Sequence, residues 1–247
     1  MLFGRKKDNP YLKSEYREWI EKLLFWLSAV MDEGYLYERP FFDLRTLPSR
    51  LKVSVDSPEF LELYYKVCRD LQILPERVSL SVLEDVPKDR LRRIFGKVIR
   101  PQAAGLYLGS TDIAGKDCEV WLSEKAFREP QGLLATLAHE MSHVKLLGEG
   151  ILRQDHRDME RITDLSLVFF GYGIPKINSI EGKAWFANGQ TGYVSQELIG
   201  HGLACMAYLR GKREPHWLED IRPRLRKYVL HSLRYLQNGG EHQLGKA

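Results

Sequence analysis

The run from Leu133 to Leu147 is apolar on nearly every helical face, yet it contains His139-Glu140-Met141-Ser142-His143. Leu133, Leu134, Leu137, Ala138, Met141, Val144, Leu146 and Leu147 leave such a helix little surface to expose, so it is expected to be buried. Residues four apart on an α-helix differ by about 40° of rotation and one turn of rise, which projects both imidazoles from one face. Burying two histidines and a glutamate costs several kcal/mol unless they are paired or bound to an ion. One metal ion can touch both rings, since Zn²⁺ takes neutral imidazole nitrogen at about 2.0–2.1 Å. Glu140, beside the first histidine, would stand close enough to the open coordination position to take a proton from water. The competing reading is a polar cluster satisfied within the core.

A catalytic zinc site usually has three protein ligands and a water. Beyond His143 the candidates for the third ligand are Glu149, Asp155, His156, Asp158, Glu160 and Asp164. Glu149 has the metzincin spacing, but that pattern turns the chain at a glycine three residues after the second histidine, where this sequence has Leu146. A helix over about residues 157–170, closed by Gly171, would put Glu160 and Asp164 on one face ahead of the apolar run Leu165 to Phe170. HExxH followed by a helix with Glu-x-x-x-Asp resembles the gluzincin arrangement of thermolysin-like and related zinc peptidases. The resemblance covers Leu133 to Gly171, with a shorter linker between the two halves than the best-known of those enzymes have. It implies that His139, His143 and Glu160 are zinc ligands and that Glu140 is the general base. Asp164 would orient a ligand histidine through its other ring nitrogen. It also implies a small sheet ahead of the HExxH helix whose edge strand binds extended peptide. A histidine or tyrosine would stabilise the oxyanion, for which His201, Tyr193 and His156 are the candidates.

A chain of 247 residues with 44% hydrophobic and 28% charged residues has the composition of a globular protein with a sizeable core. The net charge of +4 comes from interspersed basic and acidic residues, so no nucleic-acid partner is expected. Cys68, Cys118 and Cys205 are odd in number and far apart, without a CxxC pair, which points to a reducing compartment. The basic start, Met1 to Asp8, is not followed by a signal-peptide apolar core, and Leu23 to Met31 is about half a membrane span. A cytoplasmic protein with no membrane partner is the expectation.

Apolar residues at helical spacing predict a helix over Tyr11 to Met31, then a packed loop over Gly34 to Leu51. Ser57-Pro58 opens a helix that runs to about Leu74. A strand is expected at Val78 to Val82, a short helix at Lys88 to Phe95, and a hairpin from Ala104–Leu108 and Cys118–Leu122. Gly171 to Pro175 reads as a turn, and Ile177 to Gly192 as a loop over the site. Helices follow at Val194 to Leu209 and Trp217 to Leu236, the latter with a basic face. On the former, His201 and Cys205 lie one turn apart.

The expected fold is α+β and mainly helical, with a zincin-like helix pair and a small antiparallel sheet. Residues 1–75 would be a helical extension packed on a zincin-like domain of residues 76–247. The expected function is a zinc-dependent metallopeptidase acting on peptide or protein substrates. The rivals are a non-catalytic zincin-like domain that binds a partner and an all-helical scaffold without metal.

Overall fold

A computed structural model describes residues 11–96, 103–180 and 194–244. The chain divides into two compact units, one contiguous over residues 43–159 and one assembled from residues 1–42 and 160–247. The expected boundary at residue 75 therefore falls inside the contiguous unit.

In the contiguous unit the first long helix is α3, Pro58–Leu71. Ser57 caps it by accepting a hydrogen bond from Phe60 N, and Pro58 occupies the first turn, where a missing N–H costs nothing. Phe60, Leu63, Tyr64, Val67, Cys68 and Leu71 form its buried face at helical spacing. The chain then runs through β1 (Val78–Val82), α4 (Lys88–Phe95), β2 (Gly105–Leu108) and β3 (Cys118–Leu122) into α5 (Pro130–Leu146).

The sheet is mixed, not antiparallel throughout. Its order is β1-β3-β2, with β3 parallel to β1 and antiparallel to β2. β3 is central because all five of its residues are buried, and a strand covered on both faces belongs inside a sheet. Alternation then sorts the side chains. Trp121, paired with Leu106, packs with Leu83, Val86 and Leu91 on one face. Glu119 lies on that face too, and its buried carboxylate accepts from Trp121 Nε1 at 3.0 Å and Thr111 Oγ1 at 2.6 Å and pairs with Arg90. Gly105 and Tyr107 pair with Leu122 and Val120 and so take the opposite face, toward α5.

The second unit is helical among its described residues: α1 (Ser14–Val30), α2 (Gly34–Tyr37), α6 (Met159–Phe169, from its second residue), α7 (Gly173–Ser179), α8 (Gln196–Leu209) and α9 (Pro223–Gln237). α8 packs against α1, α2, α7 and α9. Gly171 stops α6 with φ 93°, and its N–H and O bond Val168 O and Phe42 N. The expected turn at Gly171 to Pro175 is instead the start of a helix, because Pro175 sits in the first turn of α7, where no amide needs a partner four residues back. No helix among the described residues is long and apolar enough to cross a membrane.

Leu91 is fully buried in the Trp121 cluster. Leu91→Ala is expected to lower stability by about 2–5 kcal/mol, read from the chemical denaturation of the folded chain.

Candidate metal centre

The helix carrying the motif starts at Pro130, with the Glu129 side chain accepting from Gly132 N, and its last two turns hold the three polar groups. Glu140 and His143 are buried and His139 is half-buried. The two Nε2 atoms approach to 3.1 Å with the ring planes 88° apart. Two nitrogens 3.1 Å apart, each about 2.05 Å from a shared zinc, would subtend roughly 100° at the ion, near the tetrahedral angle. The separation of the pair thus matches that of two ligands of one ion.

β2 builds the wall facing these residues. A Cβ on Gly105 would lie 2.7 Å from Glu140 Cγ, Glu140 Oε1 and Thr136 Cγ2, so the strand backbone passes this close only because residue 105 has no side chain. Two residues on, the Tyr107 ring stacks on His143 with centroids 5.8 Å apart and planes 19° apart. Burial pushes the Tyr107 phenol up to about 12, so it remains a neutral hydroxyl at physiological pH.

Glu160 follows Met159, the last residue of the contiguous unit, in the first turn of α6. Asp164 is fully buried one turn further along, with its Oδ1 paired to Lys176 Nζ and its Oδ2 accepting from Val194 N at 3.3 Å. Of the other acidic candidates, Glu149 pairs with Lys145 across one turn at 2.8 Å and Asp155 pairs with Arg153 at 2.8 Å.

The expected oxyanion residues fare differently. His201 has no exposed surface, and its Nε2 lies 3.2 Å from Glu21 Oε1 on α1, so it is a core residue with nothing to offer a substrate. His156 is exposed and accepts from Asp158 N through Nδ1 at 3.1 Å. Tyr193, and residues 181–192 of the expected loop, lie outside the described residues.

Three residues escaped the sequence reading. Gly105 had a signal, because a glycine inside a strand marks a close backbone approach. Tyr107 had none, since its ring contact depends on which strand face meets α5. Lys176 interrupts the apolar residues Ile174, Pro175 and Ile177, an anomaly that calls for a buried anion.

Comparison with protein-family models, curated proteins and solved structures found no match to this chain.

The Gly105 approach predicts a coupling. Gly105→Ala is expected to destabilise the protein by about 1–3 kcal/mol and to do so less in a Glu140→Ala background, because two of the three opposing atoms then disappear. A denaturation double-mutant cycle measures it, and equal penalties in both backgrounds would remove the contact from the account.

Proposed function

We propose that the protein is a zinc-dependent hydrolase of amide bonds in peptide or protein substrates, with His139, His143 and Glu160 holding Zn²⁺. The observation that carries the proposal is the 3.1 Å approach of two imidazole nitrogens on one helix, with the Glu140 carboxylate beside them. A bound zinc ion lowers the pKa of its water toward about 7 and polarises a carbonyl oxygen. Glu140 takes the proton from the attacking water and returns it to the leaving amine. Its carboxylate is buried against the Gly105 backbone, which holds it in place beside the two imidazoles. Tyr107 holds the His143 ring plane by stacking, and Asp164, paired with Lys176, is the residue to which the gluzincin resemblance would give the orienting role. The three cysteines are free and buried, which supports a cytoplasmic setting.

The test compares zinc per chain and hydrolysis of a mixed fluorogenic peptide library for three proteins. Glu140→Gln is expected to keep the wild-type zinc content while losing activity by roughly 10²–10⁴-fold. His143→Ala is expected to lose one zinc per chain and all turnover. Unchanged activity in Glu140→Gln, or unchanged zinc in His143→Ala, would refute the proposal. Loss of one zinc in His143→Ala from a wild type with no turnover would assign the ion a structural role instead.

A further inference from the structure

The contact that removes His201 from the reaction assembles another set of donors. Glu21 of α1 and His201 and Cys205 of α8 all have 0% exposure, and one ligand atom from each lies within 4.8 Å of the others. His201 and Cys205 have the same i, i+4 spacing as His139 and His143, so they share a helix face. His201 Nε2 and Glu21 Oε1 are 3.2 Å apart, and Glu21 Oε2 accepts from Gln243 N at 2.6 Å. His201 Nδ1 is buried and has no hydrogen-bond partner.

We propose that Glu21, His201 and Cys205 form a second metal site, taking a thiophilic divalent cation such as Zn²⁺ in a structural role. The donor chemistry fits: carboxylate oxygen, imidazole nitrogen and cysteine sulfur are the three zinc donors proteins use. Burial keeps His201 in its neutral form, which is the ligating form. Cys205 is held as a thiol by the same burial and would release its proton to solvent as the ion binds during folding. A carboxylate and a thiolate together cancel the charge of the ion. The structural role follows from the burial, because an enclosed donor set leaves no position for a substrate. The site would clamp α1 to α8 and, through Gln243, fix the chain beyond α9. The competing cation is Arg17, one turn before Glu21. Its guanidinium donates to Leu12 O and Tyr235 OH and weighs on the protonation of His201. Without a metal, the cluster is a plain His–Glu hydrogen bond.

Cobalt separates the two sites, because the HExxH site contains no cysteine. Protein produced in cobalt-supplemented medium lets the ion enter before the core closes. The His143→Ala protein is expected to hold one cobalt per chain and to show the near-ultraviolet thiolate-to-cobalt charge-transfer band. His143→Ala/Cys205→Ser is expected to lose both the cobalt and the band, which also excludes Cys68 and Cys118 as the source. No cobalt and no band in His143→Ala would overturn the proposal and leave the cluster a His–Glu hydrogen bond. Cobalt without the band would overturn it as well and would show instead that His143 is dispensable at the first site. Should that variant fail to fold, His143→Ala/Cys68→Ser/Cys118→Ser replaces it: it is expected to keep the cobalt and the band, and loss of the band there would overturn the proposal.

Discussion

Two imidazole nitrogens 3.1 Å apart on a buried helix must share either a proton or a cation. That demand shapes the contiguous unit. α5 needs apolar neighbours on most of its circumference, which α3 and the sheet supply. It also needs one stretch of wall thin enough to pass beside Glu140 and one flat enough to lie along His143. β2 provides both within three residues, through the absent side chain of Gly105 and the ring of Tyr107. Placing the sheet beside the helix is ordinary α+β packing, whereas the choice of residues on the facing side of β2 is specific to the polar groups.

Much of the local structure was legible because it depends on neighbours in sequence. The Ser57 cap, the short helix at Lys88, the strand positions and the long helices all follow from spacing and punctuation. Pairing was not legible in the same way. A run such as Cys118 to Leu122 announces a strand without saying which neighbours flank it, so a hairpin with β2 was readable while the parallel partnership with β1 was not. Gly171 to Pro175 misled for a different reason: proline ends a helix in its interior but is welcome in the first turn, and the sequence does not say which turn it occupies.

The site divides along the same line. His139, Glu140 and His143 are fixed by one helix and could be read directly. His201 looked equally able to serve a substrate, and only the position of α1 shows that its nitrogen is taken by a glutamate 180 residues earlier. Glu119 makes the same point for a structural carboxylate. Arg90, Thr111 and Trp121 satisfy it from a helix, a loop and its own strand, and no local pattern encodes that meeting.

The division of the chain has a bearing on synthesis. Residues 43–159 form a compact unit from one uninterrupted stretch, so its strands and α5 can come together while the ribosome is still extending the chain. The other unit draws α1 and α2 from one stretch and α6 to α9 from a much later one, which leaves the apolar face of α1 uncovered until more than a hundred further residues have been made. During that interval α1, with Ile20, Leu23, Leu24 and Leu27 exposed, is the segment of the nascent chain most in need of a chaperone's cover.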